Sequence, residues 1–226
     1  MKAKDYDISK MTDTLLLASR EIGLDLGERE IRLFQDYCRE LLFWNARINL
    51  VSLKSPLDIP IKHFTDSLTA ASSIGNMNGR LLDMGTGAGF PGIPLKIIFP
   101  SLNVTLLDSS RKKTSFLKAA VRRLGLGEIA VVNRRAELLL TDDAYHGRFE
   151  AVISRATLKL PEYLRLGVGF LVPGGLLIAM KGPGFEAELE DSLPMLQEVG
   201  MKFSGSREIH LPVTGDFRKI LIFQKA

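Results

Sequence analysis

The sequence has little of the chemistry that points to a metal or disulfide protein. Among 226 residues there are one cysteine, one tryptophan and three histidines. A single cysteine, Cys38, excludes an internal disulfide and a cysteine-rich metal site. No other histidine or cysteine stands at metal-ligand spacing from His63, so we expect no metal site. Cys38 falls on the apolar stripe of a predicted helix, where a small buried hydrophobe is the expected role.

Long apolar runs are also missing. The longest, Leu164 to Met180, is broken by Pro173-Gly174-Gly175, and the first residues lack the apolar core of a signal peptide. We therefore expect a cytoplasmic protein with no membrane partner. The sequence leaves the oligomeric state open, with a monomer favoured. The net charge of +4 is small, so by itself it is only a weak indication that the protein binds nucleic acid.

The first third of the chain is predicted to be helical. Apolar residues recur at helical spacing over Ile8 to Ile22 and Glu28 to Trp44, and Ser55-Pro56 opens a third predicted helix that runs to about Ser73. The polar stretch Gly75 to Gly79 is typical of a turn. We place a domain boundary there, with a helical extension at residues 1–75 and a second domain at residues 76–226.

From Arg80 the pattern alternates between strands and helices. Strands are predicted at 80–84, 103–108, 128–132, 149–153, 175–180, 201–210 and 217–224. Helices are predicted in the gaps, notably at Arg111 to Leu124, Leu160 to Leu171 and Phe185 to Val199. This order predicts an α/β, Rossmann-like fold with a doubly wound, mostly parallel seven-stranded sheet and an antiparallel C-terminal hairpin.

A glycine-rich turn follows the first predicted strand. Asp83 is followed by Gly85, Gly87 and Gly89, and the second strand ends in Asp108. Glycines allow positive φ and close approach of a ligand, and an acid at the end of the second strand can accept both hydroxyls of a ribose. The unit therefore predicts a nucleotide-like cofactor, although such a turn can also occur without a ligand.

Two cofactor patterns overlap in this turn. Gly87, Gly89 and Gly92 fit the dinucleotide pattern, whereas Gly85, Gly87 and Gly89 fit motif I of the S-adenosylmethionine methyltransferases. Pro91 has no N–H to offer a pyrophosphate at the helix start, and S-adenosylmethionine has no phosphate. The proline therefore favours S-adenosylmethionine.

Further polar residues follow the later strands, at the edge where ligands of doubly wound sheets bind. Glu137, after Ala136, could bond the amine of an adenine or simply cap a helix. Arg155 and Lys181 end the fourth and fifth strands directly. Each could contact a ligand or form a salt bridge to Asp83 or Asp108.

A basic helix and a polar cluster are candidates for contact with nucleic acid. The helix carries Arg111, Lys112, Lys113, Arg122 and Arg123, and Arg134 follows it; such a run can suit a phosphate backbone or be a solvated face. The N-terminal cluster contains Asn45, Arg47 and Asn49, then His63, Asp66 and Ser67. On helices, Asn45 and Asn49 would share one face, as would His63 and Ser67.

Taken in order, these residues resemble a known family. The chain resembles the RsmG family, also called GidB, in five motifs that follow one another in the same order. They are Trp44-Asn45 with Asn49-Leu50, His63 with Asp66-Ser67, the run Asp83 to Pro94, Leu107-Asp108-Ser109, and Ile153 to Ala156. Its Gly-Phe-Pro-Gly-Ile-Pro extension is far more specific than the glycine pattern alone. The family methylates N7 of a guanine in bacterial small-subunit ribosomal RNA.

The resemblance implies a class I methyltransferase that uses S-adenosylmethionine, with ribosomal RNA or the assembled small subunit as partner. It implies a cofactor pocket lined by Gly85, Phe90, Ala136, Glu137 and Arg155, with Asp108 on the ribose. It also implies that Asn45, Asn49, His63, Asp66 and Ser67 lie near the cofactor's methyl end or the RNA. No general base is required, because guanine N7 carries a free lone pair and alignment with the sulfonium suffices.

Three other functions stay open from the residues alone. The first is a methyltransferase whose substrate is another RNA, a small molecule or a protein. The second is an oxidoreductase that uses a nicotinamide cofactor, and the third is a non-catalytic RNA-binding module. Pro91 counts against the oxidoreductase, and the intact Asp83, Gly85 and Asp108 count against the binding module.

Overall fold

A seven-stranded sheet organises the chain. The computed structural model describes residues 6–75, 78–155 and 158–226. The strand order is β3-β2-β1-β4-β5-β7-β6. Strands β1 to β5 pair with one another in parallel, whereas β7 runs antiparallel to both β5 and β6. The strands are β1 (Arg80–Met84), β2 (Asn103–Leu107), β3 (Ile129–Val132), β4 (Phe149–Arg155), β5 (Leu171–Lys181), β6 (Met201–His210) and β7 (Phe217–Lys225).

Helices cover the sheet. They are α1 (Ile8–Glu21), α2 (Glu28–Ile48), α3 (Asp66–Leu68), α4 (Ala71–Ile74), α5 (Gly92–Ile98), α6 (Arg111–Leu124), α7 (Ala136–Leu139), α8 (Leu160–Phe170) and α9 (Glu186–Ser192). The predicted fold class is confirmed, and so are all seven strands to within a few residues. Helix α6 begins and ends as predicted because Ser110 caps its first turn and Gly125, with φ of 59°, ends it.

The third predicted helix is wrong as a single helix. Residues Asp58–Thr65 form a π-helical segment, and the short helices α3 and α4 follow it. Pro60 has no backbone N–H to donate within the segment. The Thr65 hydroxyl donates to the Pro60 carbonyl at 2.7 Å and the Ser67 hydroxyl to the His63 carbonyl at 2.6 Å. These side-chain bonds compete with regular helical bonding, which sequence periodicity does not register.

Two further boundaries differ from the prediction. The helix predicted over Phe185 to Val199 ends at Ser192, and a 3₁₀ turn covers Leu193–Met195. Pro194 disfavours α-helical backbone in the residue before it and cannot donate an N–H. Strand β5 begins at Leu171 rather than 175, with an irregular register between Phe149 and Ala151 on β4.

The helical first third packs on one face of the sheet. Helix α2 buries Phe34, Tyr37, Cys38 and Leu41 completely, in one cluster with sheet residues such as Val104. The expected burial of Cys38 is therefore confirmed. The other face packs against α8, where the Tyr163 hydroxyl donates to carbonyls of β4 and β5. The boundary proposed within residues 75–79 includes Asn76 and Met77, which lie outside the described residues, so the division stays a prediction.

Over the described ranges, no helix combines the length and apolarity needed to cross a membrane. In the same part of the chain, no group of three or more histidine, cysteine or acidic side chains is placed to hold a metal ion.

Candidate cofactor site and an adjoining basic hollow

The loop between β1 and α5 has the shape that its glycines predict. Gly85, Gly87 and Gly89 have φ of 74°, 62° and 89°, in the region that favours glycine. Asp83 holds this loop to the helix: its Oδ2 accepts from the Thr86 hydroxyl at 2.5 Å and from the Gly92 N–H at 2.8 Å.

Asp83 lies beneath the loop rather than on its surface. The residue is fully buried, and burial raises the pKa of its carboxyl to about 7 in spite of the hydrogen bonds from Thr86 and Gly92. A Cβ added at Gly92 would lie 2.7 Å from Asp83 Oδ2 and 2.5 Å from Leu106 Cδ2. Only glycine therefore lets the helix approach this carboxyl so closely.

Helix α2 supports the same loop from behind. The Tyr37 hydroxyl donates to the Ala88 carbonyl. A Cβ at Gly89 would lie 2.7 Å from that hydroxyl and 2.5 Å from Ile93 Cδ1. The N-terminal extension is thus part of the structure that shapes the loop.

Asp108, at the end of β2, is held rigidly. Its Oδ2 accepts from the Gly87 N–H at 3.0 Å and its Oδ1 from the Ser110 N–H at 2.8 Å, while the Lys113 ammonium lies 3.8 Å away. Each carboxylate oxygen can accept a second bond. Asp108 is therefore a fixed acceptor between the glycine loop and the start of α6.

A cavity of about 250 Å³ opens beside Asp108. It is lined by Met84, Gly85, Leu107, Asp108, Ser109, Arg134, Arg135, Ala136, Glu137, Leu158 and Leu166. The structure therefore brings Gly85, Asp108, Ala136 and Glu137 together, as the sequence predicted for a cofactor site. Leu158 and Leu166 supply an apolar wall that the sequence analysis missed, since no local signal tells which leucines of the region around α8 face the cavity.

Phe90 and Arg155 lie outside this lining, on the side of the π-helical segment. Phe90 is 4% exposed. The His63 ring stacks on it at 5.1 Å, and the Arg155 guanidinium lies 5.0 Å from its ring centre. Their direct contact with a cofactor stays a prediction, as does that of Asp83, Gly87 and Gly89. Ala156, quoted in the family motif, lies outside the described residues.

The salt bridges proposed for Arg155 and Lys181 form with other partners than Asp83 or Asp108. Arg155 Nη1 lies 3.3 Å from Asp66 Oδ2 and donates to the Lys62 carbonyl at 2.9 Å. Lys181 Nζ lies 2.7 Å from Glu188 Oε2. The proposed partners are already engaged, because Asp83 binds Thr86 and Gly92 while Asp108 binds two backbone N–H groups. The π-helical segment and α9 supply nearer carboxylates.

These basic side chains surround a second cavity, of about 430 Å³, which we call the basic hollow. It is lined by Lys62, His63, Asp66, Arg155, Met180, Lys181, Gly182 and Arg218. Burial, with a smaller contribution from the Arg155 guanidinium, lowers the pKa of His63 to about 3, so its imidazole is neutral near pH 7. His63 and Asp66, grouped in the sequence analysis, thus do lie together.

Arg218 was missed by the sequence analysis. Its Nε lies 3.1 Å from Asp66 Oδ2, the same oxygen that faces Arg155. Strand β7 pairs antiparallel with β5, with Lys219 opposite Lys181. The start of β7 therefore meets the carboxyl end of β5, and the predicted hairpin was the signal that could have placed Arg218 at this edge.

The rest of the N-terminal polar cluster lies elsewhere. Asn45 and Asn49 line a separate hollow with Ala46 and Ser52. Asn45 Oδ1 accepts from the Val51 N–H at 2.9 Å, and Asn49, with φ of 49°, ends α2. Ser67 is fully buried, with its hydroxyl donating to the His63 carbonyl. The predicted single cluster therefore divides between two hollows, with Asn45 and Asn49 in one and His63 and Asp66 in the other.

The basic face of α6 is confirmed as a solvated face. Arg111, Lys112, Arg122 and Arg123 are exposed, while Phe116 and Leu117 are buried beneath them. Arg47 is exposed and lies 3.7 Å from the ring centre of Phe43, which is itself 53% exposed. Arg134 bonds Asp142 at 3.0 Å. Contact of these side chains with RNA stays a prediction.

The fold and the site together define a class of protein. A mostly parallel seven-stranded sheet with an antiparallel hairpin, a glycine loop after β1 and an acid after β2 is the architecture of the Rossmann-like class I methyltransferases. Solved structures agree. The chain is similar to a predicted O-methyltransferase from Agrobacterium tumefaciens, with a TM-score of 0.56, 22% identity and coverage of 71% of this chain and 78% of that one. It is also similar to M. jannaschii TYW2 in complex with AdoMet, with a TM-score of 0.54, 17% identity and coverage of 68% and 72%.

Sequence comparison gives the family. The family model for rRNA small subunit methyltransferase G, or GidB, matches residues 30–209. The ribosomal RNA small subunit methyltransferase G of Syntrophus aciditrophicus is 51% identical over 92% of this chain and 87% of its own length. That of Acetivibrio thermocellus is 38% identical over 96% and 89%. The chain belongs to this family.

Proposed function

We propose that this protein transfers the methyl group of S-adenosylmethionine to N7 of a guanine in small-subunit ribosomal RNA. The cavity beside Asp108 carries the proposal within the structure. It combines a glycine loop, a fixed carboxylate at the end of β2 and an acid at the start of α7 at one edge of a methyltransferase sheet. Membership of the family supplies the reaction class, so the oxidoreductase and the binding module are no longer needed as alternatives.

In this proposal the cavity would hold the adenosine half of the cofactor. Asp108 would accept the ribose hydroxyls, using the lone pairs left by Gly87 and Ser110. Glu137 would accept from the adenine amine, and Leu158 and Leu166 would cover the ring faces. Arg155 and the basic hollow, beyond the glycine loop, would then lie on the methyl-transfer side of the site.

The chain supplies alignment rather than proton transfer. S-adenosylmethionine brings an activated methyl group, and guanine N7 has a lone pair and no proton, so the reaction needs no base. The neutral, buried His63 is consistent with this, because its lowered pKa makes it a poor proton acceptor near pH 7. A base in a stacked helix must leave the stack to reach such a site.

The partner and the location follow as parts of the same proposal. The substrate is small-subunit ribosomal RNA, free or in the assembled subunit, and the protein works as a monomer in the cytoplasm. Exposed cations of α6, with Arg47 and Arg134, would contact phosphates.

Transfer of labelled methyl from S-adenosylmethionine to unmethylated small ribosomal subunits tests the function. Naked ribosomal RNA and transfer RNA run in parallel, and the modified nucleoside is identified. We expect 7-methylguanosine in small-subunit RNA, its loss in Asp108→Ala, and normal transfer in Glu198→Ala, whose exposed carboxylate lies at the opposite edge of the sheet. Cofactor binding without any transfer would exclude this substrate.

A further inference from the structure

We propose that the basic hollow seats a phosphate of the RNA backbone next to the target guanosine, with Arg218 as a residue that contacts it. The proposal rests on the proposed function, because it concerns the RNA substrate of the same site. Nothing in the family motifs points to Arg218, whereas the geometry and charge of the hollow do.

The first observation is that two guanidinium groups share one carboxylate oxygen. Asp66 Oδ2 lies 3.3 Å from Arg155 Nη1 and 3.1 Å from Arg218 Nε. The side chains of Arg155, Arg218 and Asp66 are 17%, 21% and 5% exposed, so water screens this group poorly. One carboxylate cannot neutralise two cations, and uncompensated charge in a half-buried site is costly.

The described ion pairs of the other cations around the hollow add no surplus negative charge. Lys62 pairs with Asp58 at 3.3 Å, and Lys181 pairs with Glu188 at 2.7 Å. Each of these pairs has no net charge, so neither offsets the second guanidinium beside Asp66. His63 is neutral near pH 7, and its Nδ1 lies 3.4 Å from Arg155 Nη2, a donor. In the ion pairs of the described residues, four cations therefore face three carboxylates, which leaves a place for one anion. Asp83 also interacts electrostatically with Arg155, but burial raises the pKa of its carboxyl to about 7, so it carries only part of a negative charge near pH 7.

Arg218 also keeps donors for a ligand. Its Nε binds Asp66 and its Nη1 donates to the Phe217 carbonyl at 2.8 Å. Among the residues that the structure describes, its Nη2 has no hydrogen-bond partner. A guanidinium fixed on one side and open on the other is suited to an oxyanion.

The hollow is close to the cofactor cavity. Lys181 Nζ donates at 3.1 Å to the carbonyl of Leu158, a residue that lines the cofactor cavity. Arg155 lies over Phe90, which follows directly on the glycine loop. An anion in the hollow would therefore sit beside the methyl end of a bound cofactor, where the backbone of the target nucleotide must pass.

Two oxyanions come to this edge during the reaction, the cofactor's carboxylate and an RNA phosphate. S-adenosylmethionine carries a sulfonium and an ammonium besides its carboxylate, so it brings a net positive charge and cannot offset the surplus. A phosphate diester brings one negative charge and no positive one. The charge balance of the hollow thus favours the RNA.

The test compares Arg218→Gln with the intact protein. Binding of a fluorescent single-stranded RNA is measured across salt concentrations, and S-adenosylmethionine binding is measured by calorimetry. We expect RNA affinity to fall about tenfold, as for loss of one charge-assisted hydrogen bond. The slope of log affinity against log salt should shrink by about 0.7, as for one lost phosphate contact. Cofactor affinity should stay within about twofold, since the carboxylate is not held there.

Two controls keep the result specific. Arg218→Lys retains the charge and should restore most of the salt slope, which also guards against a folding defect in Arg218→Gln. Arg207→Gln removes an exposed arginine from the same hairpin, outside the hollow, and should leave the slope unchanged.

An unchanged RNA affinity and slope in Arg218→Gln would overturn the proposal. So would a selective loss of cofactor affinity, which would assign the hollow to the cofactor's carboxylate, or an intact protein that binds no RNA at all. Failure of methyl transfer to small-subunit RNA, with the Arg218 effect on RNA binding intact, would remove the proposed function and leave the phosphate seat standing.

Discussion

Replacing Asp83 by alanine should loosen the loop on which the cofactor site depends. The change leaves the Thr86 hydroxyl and the Gly92 N–H, both now bonded to Asp83 Oδ2, without an acceptor in a fully buried place. Each buried donor left unpaired costs about 1–3 kcal/mol. The variant also no longer pays for burying a carboxyl group, which offsets part of the cost of the two unpaired donors. We expect a net loss of about 3 kcal/mol in the free energy of unfolding, which corresponds to a melting temperature lower by about 6–12 °C.

Thermal unfolding followed by circular dichroism measures this loss, and calorimetric titration with S-adenosylmethionine measures its effect on the site. We expect about tenfold weaker cofactor binding, the equivalent of roughly 1.4 kcal/mol, because the side chain of Asp83 no longer ties Thr86, in the glycine loop, to Gly92 at the start of α5. Asp83→Asn is the matched control, since its amide oxygen can still accept a bond from Gly92. An alanine variant that melts within about 2 °C of the intact protein and binds the cofactor normally would refute this role of Asp83.

The raised pKa of Asp83 adds a pH dependence of known sign. The carboxyl has a pKa of about 7 in the folded protein, because of burial, and about 4 in an unfolded chain. The folded state therefore holds the proton more tightly. The contribution of Asp83 to stability is complete below about pH 4 and is lost as the pH rises to 7, by at most about 4 kcal/mol. In Asp83→Asn that decline should be absent, and identical stability curves for the two proteins would contradict the assignment.

Three other predictions concern buried groups. The Cys38 thiol, whose pKa burial raises to about 12, should react with a thiol reagent at pH 8 only after denaturation; rapid reaction of the folded protein would disprove its burial. Gly92→Ala should cost about 1–3 kcal/mol by overpacking against Leu106 and Asp83, whereas Gly127→Ala, with open space at its Cβ, should be nearly neutral in chemical denaturation. The His63 imidazole, with a pKa lowered to about 3 by burial and Arg155, should show no NMR titration between pH 5 and 8. In the unfolded chain His63 takes up a proton near pH 6.5, whereas in the folded protein it does so only near pH 3. Its contribution to stability is therefore complete above pH 6.5 and falls as the pH drops toward 3. His63→Gln should lack this loss.

Much of the fold could be predicted because the signals are local. Alternation of short apolar runs with helical stripes located all seven strands, and Ser110 and Gly125 fixed the ends of α6. The glycine spacing predicted the turn after β1, because a turn of this kind depends on backbone conformations that few residues other than glycine adopt. Resemblance to a family, rather than spacing, supplied the substrate.

The partners of charged side chains could not be predicted in the same way. The sequence placed Arg155 and Lys181 at the correct edge of the sheet. Their ion-pair partners, however, are Asp66 and Glu188, and no local sequence pattern predicts where the elements that carry these two acids lie. The π-helical segment that carries Asp66 depends on Pro60 and on side-chain bonds to the backbone, and periodicity alone predicted one long helix there.

The sequence by itself therefore determined the order of the elements, the glycine loop and the acid beside it, since each depends on neighbours along the chain. The tertiary structure alone decided which charges meet. It brought Lys62 and Asp66 from the N-terminal third, Arg155 from β4 and Arg218 from the last strand around one hollow. Electrostatic pairing acts over a few ångströms of space, and residues far apart in sequence reach that distance only when the sheet and its covering helices have folded.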